Sequence, residues 1–358
     1  MQSKKKFNKV LLATALTGAF ASSAMAQTVT VSGLVDNFVG SMRNAGDTAS
    51  RKVVGSGGMT TSWIGFTGTE DLGGGLKTKF ALTSFLQTDT GASGRFPGDT
   101  LFSRDANVGL AGNFGEVSLG RGLAPSFLPM ILFNPLGDSF TFSPLVLHLQ
   151  VPLFNASGFN SSIPSDDGWS NQIKYTTPDF GGLTANLHYQ FGEVANHSGK
   201  NNVGANVLYF HGPLSLTAFY QRAKVDNPLD PGAPTSVVQS YGGLNATEQK
   251  VWFIGGGYDF GPAKLFATYD KTTHDVDLED KTASVGVSVP VGTGKVLAGY
   301  AETKRTVAAA SDVKRKTATV GYDYFMSKRT DLYAMLMNDK ITGSSTGTSA
   351  GVGIRHSF

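Results

Sequence analysis

The chain has 358 residues, of which 45 are glycine, and charged residues make up only 16%, against about 25% in an average soluble protein. Hydrophobic residues make up 40%, too few for a bundle of membrane helices, and no uncharged apolar run reaches the roughly 18 residues that a spanning helix needs. The absence of cysteine excludes disulfides, thiol nucleophiles, zinc–thiolate sites and iron–sulfur clusters, and the formal net charge is +3.

The first 26 residues have the three parts of a secretory signal peptide. Four lysines fall within the first nine residues, a largely apolar stretch covers 10–20, and small residues end at Ala26. This pattern predicts cleavage after Ala26, and the apolar stretch is too short for a membrane anchor. Cleavage leaves 26 basic and 27 acidic residues, so the mature charge of −1 gives no reason to expect nucleic-acid binding.

From residue 27 onward, apolar residues occupy every second position over segments of about ten residues. Leu183, Ala185 and Leu187, for example, alternate with Thr184 and Asn186. This period is typical of strands with one apolar and one polar face, and it predicts an all-β protein. We count 16 such segments, with starts near Thr28, Ser62, Gly75, Arg104, Gly115, Ser170, Gly182, Asn202, Leu214, Gln249, Ala263, Lys281, Gly294, Lys314, Thr330 and Ala350.

The connections between these segments alternate between tight turns and longer polar stretches. Glycine-rich turns at 70–74, 112–114 and 290–293 are separated by longer segments rich in Asn, Asp, Ser, Thr and Gly. Short turns at one end and long loops at the other are typical of an antiparallel barrel in an outer membrane. The alternative is a soluble β-sandwich, which has shorter strands and Greek-key connections. We therefore predict a 16-stranded antiparallel transmembrane β-barrel over 27–358.

Seven stretches of the chain resemble general porins of Gram-negative bacteria, particularly the β-proteobacterial type found in Neisseria, Burkholderia and Comamonas. They are GTEDLGGGLK (68–77), LFSRDANVGLAGNFGEVSLGR (101–121), PDFGGL (178–183), YDFGPAKLFATYD (258–270), SVGVSVPVGTGK (284–295), VGYDYFMSKRTDLYA (320–334) and GVGIRHSF (351–358). The resemblance implies a trimeric, water-filled channel in the outer membrane, surrounded by lipid and lipopolysaccharide and passing small solutes and ions. It implies no cofactor.

The resemblance also implies a third loop that folds inward, and here that loop covers 122–169. A connection of this length is usually functional. Its charges are few, chiefly Asp138, Asp166 and Asp167, so we expect a weak transverse field. Its apolar residues crowd together: Phe140, Phe142, Leu145, Val146, Leu147, Leu149, Val151, Leu153 and Phe154.

Strand register predicts which side chains line the pore. If the apolar residues of each strand face lipid, then Trp63, Lys77, Lys79 and Lys174 face the lumen. Related porins commonly place a basic residue near the positions of Trp63 and Thr67, so part of that basic ladder is missing here. For any single lysine, a solvated wall charge is as good an interpretation as a role in selectivity. The complete predicted lining is Lys77, Lys79, Arg104, Arg121, Lys174, Arg355, Asp36, Glu116, Asp138 and Trp63.

The sequence gives weaker support to other functional classes, namely nucleotide binding, metal binding and catalysis. The glycines at 73–75 lead into a strand and lack the spacing of a phosphate loop, and the six histidines show no H-E-x-x-H pattern. The acidic residues at 275–280 lack the glycine of a calcium loop, so a solvated loop is the better interpretation. A barrel enzyme would need a nucleophile, a base and an orienting group in contact, and no local motif joins them.

A small excess of basic residues along the predicted lumen, with Asp105 added to the acids, predicts mild anion selectivity. The missing basic ladder and the apolar loop together suggest a preference for small aromatic or weakly polar organic acids. The alternative is that the apolar residues pack the loop against the wall and leave a general pore.

Overall fold

A computed structural model describes residues 28–193, 201–225, 238–308 and 310–358, so the predicted signal peptide lies outside the described residues. In chain order the strands are β1 (Thr28–Met42), β2 (Arg51–Ser56), β3 (Trp63–Gly73), β4 (Leu76–Gln87), β5 (Ala92–Ser93), β6 (Asp105–Gly112), β7 (Gly115–Leu123), β8 (Gly168–Thr176), β9 (Leu183–Phe191), β10 (Asn201–His211), β11 (Leu214–Ala223), β12 (Gln239–Tyr241), β13 (Leu244–Ala246), β14 (Gln249–Asp259), β15 (Lys264–His274), β16 (Leu278–Val291), β17 (Gly294–Val307), β18 (Val313–Phe325), β19 (Thr330–Ile341) and β20 (Gly347–Ser357).

Sixteen of these strands form a closed antiparallel barrel, which confirms the predicted fold class. β1 closes it by pairing with β3 through residues 28–34 and with β20 through residues 34–41. The predicted strand starts lie within three residues of those observed. The apolar–polar alternation did not predict β2, β5, β12 and β13, because segments of two to six residues carry too little periodicity. β2 pairs with β1 and β5 with β4, whereas β12 and β13 form a separate hairpin.

The alternation of side chains gives the sheet two distinct faces. Val285, Val320 and Leu336 are exposed on what we call the apolar face, while Thr303 and Thr317 are buried on the polar face. Successive side chains of a strand point to opposite sides, so each strand contributes to both faces. Among the described residues, no helix is both long and apolar enough to cross a bilayer.

The connections differ at the two ends of the barrel. At the turn end they are as short as two residues, and glycines at 73, 74 and 75 adopt positive φ angles of 84°, 61° and 82°, which glycine tolerates without strain. At the loop end lies the longest connection, residues 124–167. β7 and β8 each extend two residues beyond the predicted loop boundaries.

Two short helices lie within 124–167: α1 (Phe127–Leu132) and α2 (Pro144–Gln150). Ser143 caps α2, because its side chain accepts a hydrogen bond from the Val146 amide at 3.5 Å, and proline occupies the first turn. This segment is therefore partly helical.

Candidate channel constriction

The apolar side chains of 124–167 pack against the barrel wall. Phe142 contacts Phe38 edge to face, with ring centroids 5.7 Å apart, in a cluster that also includes Met335. A second cluster joins Leu145 and Val146 to residues of β11 and β14. Six of the nine apolar residues noted in the sequence are buried: Phe142, Leu145, Val146, Leu147, Leu149 and Leu153. Phe154, by contrast, is 70% exposed. Packing therefore accounts for most of the apolar character of this segment.

Polar contacts hold α2 on the polar face of β17 and β18. The ring nitrogens of His148 lie 2.7 Å from Thr303 Oγ1 and 2.8 Å from Thr317 Oγ1. Burial is the main reason why the pKa of His148 falls well below its usual value, so the ring is neutral and can donate to one hydroxyl and accept from the other. Arg315 donates to the Leu147 carbonyl at 3.1 Å. These contacts hold α2 against the barrel wall.

Asp36 is fully buried and anchors the chain between β2 and β3. Its carboxylate accepts hydrogen bonds from the amides of Met59 and Thr60, both at 2.8 Å, and from the Tyr333 hydroxyl. Ser139 of the long connection donates to the nearby carbonyl of Gly58. Asp36 therefore holds the turn on which the long connection rests, and no solvent reaches it.

Five residues, which we call the constriction cluster, come together beside this turn: Thr60, Trp63, Arg104, Asp138 and Arg355. Thr60 links two of them, because it donates to Asp138 Oδ1 at 3.0 Å and accepts from Arg355 at 2.9 Å. The guanidinium of Arg104 lies over the Trp63 ring, 4.2 Å from its centroid. The cluster joins an aromatic face, two cations and one carboxylate.

The electrostatics of this cluster centre on Asp138. Burial raises the pKa of its carboxyl above the usual value, while the Thr60 hydrogen bond and the charges of Arg355 and Arg104 oppose that shift. Arg355 is also paired with Asp331 at 2.6 Å and Asp323 at 3.4 Å. Arg355 was predicted as a lining residue, whereas Asp323 and Asp331 were not, although their register on β18 and β19 places them on the polar face.

Arg121 belongs to a separate ion network at the loop end. It donates to the carbonyls of Ser103 and Gly168 and pairs with Asp166 at 2.9 Å. Arg95 also pairs with Asp166, at 2.6 Å. Burial would raise the pKa of Asp166, but the charges of both arginines hold it below its usual range. Arg95 was not predicted as a functional residue, because it lies in a loop, where strand alternation cannot indicate which side chains it contacts.

The predicted lysines lie nearer the turn end. Lys79 pairs with Glu116 at 2.7 Å, and its side chain is 44% exposed against 27% for the glutamate. Lys77 is exposed, and Lys174 is partly buried on β8. The structure therefore brings Trp63, Arg104, Asp138 and Arg355 together and places Lys77, Lys79, Lys174 and Glu116 apart from them.

Comparison with known proteins identifies the family. The sequence profile of Gram-negative porins matches residues 13–344. Outer membrane porin protein 32 of Delftia acidovorans is 33% identical, over 98% of this chain and 99% of its own length. Among solved structures, the anion-selective porin from Comamonas acidovorans is 30% identical with a TM-score of 0.71, covering 93% of this chain and all of its own. The trimer form of OmpT from Vibrio cholerae shares the fold at 18% identity, with a TM-score of 0.67 and coverage of 93% and 100%. With its closed sixteen-stranded barrel, the chain belongs to the family of Gram-negative porins.

Proposed function

We propose that this outer-membrane porin is a passive, mildly anion-selective diffusion channel, narrowed by residues 124–167. The apolar face of the barrel suits lipid, which leaves the polar face to line the pore. The long connection bonds to Thr303, Thr317 and Thr319 of that polar face. A segment held there would lie inside the barrel and reduce the open cross-section. The relatives above are named as porins, which supports transport as the activity in place of catalysis.

The observation that carries anion selectivity is the unequal exposure of paired charges. The side chain of Lys79 is 44% exposed against 27% for Glu116, Arg104 28% against 18% for Asp105, and Arg355 22% against 11% for Asp331. In each pair the cation is the more exposed group, so its charge should act more strongly on a passing ion than that of its partner. Lining charges select ions by this local field. The similar porin from Comamonas acidovorans is anion-selective, which supports the same preference.

The proposal includes a homotrimer of three separate pores. The support is the trimer form of a structural neighbour with the same fold. Single-channel recordings of the mature protein in a planar bilayer should then show discrete ohmic openings that close in three equal steps. Single-step closures only would contradict the trimer, and absence of conductance would contradict the channel itself.

Replacing Asp138 with asparagine should increase the anion preference. The change removes a negative charge between Arg104 and Arg355. A unit charge some 10 Å away in water changes the energy of an anion and of a cation by roughly 0.4 kcal/mol each, in opposite directions, and screening in 0.1 M salt reduces each change to roughly 0.15 kcal/mol. We therefore expect the anion-to-cation permeability ratio to rise about twofold. Lowering the pH through the raised pKa of Asp138 should shift the wild-type ratio in the same direction, because protonation removes the same negative charge. Reversal potentials in asymmetric KCl measure this.

The matched control is Asp277→Asn, an exposed carboxylate in the connection between β15 and β16. It should leave the ratio unchanged. A wild-type channel with clear cation preference would refute the proposed selectivity.

A preference for aromatic acids is a second candidate, favoured by one observation. Arg104 lies on the face of Trp63, so a flat aromatic carboxylate could meet a ring and a cation at one place. The apolar residues of the long connection add little, because most are buried in packing. A general pore remains the competing proposal.

Liposome swelling distinguishes a channel that prefers aromatic acids from a general pore. If aromatic acids are preferred, the rate with benzoate relative to a monosaccharide should fall severalfold in Trp63→Leu. Trp252→Leu, on the exposed apolar face, serves as the control. An unchanged ratio in Trp63→Leu would contradict the preference for aromatic acids and support the general pore.

A further inference from the structure

Arg121 joins three parts of the chain that are distant in sequence. From β7, its guanidinium donates to the carbonyls of Ser103, at 2.6 Å, and Gly168, at 2.7 Å. It also donates to Ser170 Oγ at 2.9 Å and pairs with Asp166 at 2.9 Å. Four hydrogen bonds from one side chain depend on the planar fork of N–H groups that arginine has and lysine lacks. Arg121 therefore fixes these three parts relative to one another.

The guanidinium of Arg121 is closely enclosed by the protein. Its side chain is 11% exposed, whereas that of Arg104, the neighbouring cation of the constriction cluster, is 28% exposed. Gly168 allows this close approach, because a Cβ atom at that position would lie 2.8 Å from Nη2 of Arg121. Arg121 is therefore the less accessible of the two cations to a passing ion, although sequence register predicted it as a lining residue.

The end of the long connection is held at the same place. Asp166 pairs with Arg95 at 2.6 Å in addition to Arg121. Arg95 pairs further with Asp167 at 2.9 Å and with Asp99 at 2.8 Å. The side chains of these five charged residues are all at most 13% exposed, so salt screens their attraction less than that of surface pairs. The position of Arg121 is thus coupled to the segment that we propose narrows the pore.

The Ser103 carbonyl connects Arg121 to Arg104. Ser103 is fully buried, and its hydroxyl accepts a hydrogen bond from the Phe85 amide at 3.1 Å. Its carbonyl belongs to the peptide bond that leads into Arg104, and Arg121 is the donor to that carbonyl. A peptide bond is planar and rigid, so the hydrogen bond at the carbonyl also restrains the backbone of the next residue. The guanidinium of Arg104 then lies over the Trp63 ring, 4.2 Å from its centroid.

We propose that Arg121 is a positioning residue, which supports the anion preference of the channel by holding Arg104 in place and not by meeting the permeating ion itself. This inference rests on the proposed function, since it requires an anion preference to which Arg104 contributes. Once the Ser103 carbonyl is released, the guanidinium of Arg104 can leave the Trp63 ring and pair more closely with Asp105, whose Oδ2 lies 3.2 Å away. Closer pairing cancels more of the field of Arg104 at the pore.

The test is the charge-conserving variant Arg121→Lys, with the anion-to-cation permeability ratio from reversal potentials in asymmetric KCl as the readout. Lysine keeps the positive charge but cannot bond to all of the partners of Arg121 at once. The ratio should fall about 1.5-fold, less than the effect of removing a whole charge near the pore. A lining charge would instead leave Arg121→Lys with the wild-type ratio, and that result would overturn the proposal. The matched control is Arg51→Lys, at an exposed position of β2, which should keep the wild-type ratio.

A double-mutant cycle tests whether Arg121 acts through Arg104. Arg104→Gln should lower the ratio about twofold, and Arg104→Gln/Arg121→Lys should have the same ratio as Arg104→Gln, because residues that act as one unit are not additive. A further fall in the double variant would overturn the proposal, since Arg121 would then act without Arg104. An unchanged ratio in Arg104→Gln would overturn it as well.

Gly168→Ala provides a second variant that retains every charge of the chain. The added methyl group would lie 2.8 Å from Nη2 of Arg121, so the guanidinium has to move. The ratio should again fall, and this variant replaces Arg121→Lys if the latter fails to form conducting channels. A wild-type ratio in Gly168→Ala would count against the proposal. Cation preference of the wild-type channel would refute the proposed function, and it is measured before any variant is compared.

Discussion

Deleting residues 140–154 and joining the ends with a short glycine–serine linker should raise the single-channel conductance about threefold, because conductance follows the open cross-section of a water-filled pore. The deletion removes α2 and its contacts with Thr303 and Thr317, which hold the segment on the polar face. The barrel strands and their pairing are untouched. Planar-bilayer recordings in the same electrolyte give the comparison.

Phe154→Ser provides the control within the same segment. Phe154 is 70% exposed, so its replacement disturbs no packing and should leave the conductance unchanged. If the deletion variant conducts like wild type, this segment does not narrow the pore.

Replacing Arg315 with methionine should destabilise the protein by about 3–5 kcal/mol, the usual cost of leaving one partner of a buried ion pair uncompensated. Arg315 and Asp339 are both fully buried, with Nε and Oδ1 3.1 Å apart. The change also removes the bond to the Leu147 carbonyl, which holds α2 on the wall. The temperature at which the folded barrel unfolds in SDS, measured by the change in its electrophoretic mobility, should fall markedly.

The double variant Arg315→Met/Asp339→Leu should regain part of the loss, because no charge is then left buried. Lys316→Met removes an exposed lysine whose pairing with Glu302 spans 3.4 Å, and it should cost no more than about 0.5 kcal/mol. A transition temperature for Arg315→Met equal to that of Lys316→Met would show that the buried Arg315–Asp339 pair contributes nothing to the stability of the folded protein.

The barrel could be predicted from the sequence because its signals are local. Alternation of apolar and polar residues determines each strand, and glycines such as Gly74 mark the tight turns. Register then follows, since a strand shifted by one residue would turn its apolar side chains to the wrong face. For that reason Trp63, Lys79 and Arg355 were assigned to the polar face from sequence alone.

The tertiary structure decided which polar-face residues meet solvent. Arg305 and Arg315 have the same alternation as residues that line an open lumen, yet both are fully buried. Residues 124–167 cover them, and Arg305 is bonded to the carbonyl of Asn160, 145 residues away. No local pattern encodes such a contact, because it depends on where the long connection comes to rest.

In the constriction cluster, too, the sequence predicted most of the residues, and the tertiary structure decided their contacts. Trp63, Arg104, Asp138 and Arg355 are each recognisable as charged or aromatic residues of a predicted lining, but Thr60, which joins two of them, is an ordinary loop residue in the sequence. Strand periodicity assigns a residue to a face, whereas contact between a loop and the wall arises from packing between parts of the chain far apart in sequence. The sequence by itself therefore determined the barrel and its two faces, and only the folded chain decided which of its charges a solute can reach.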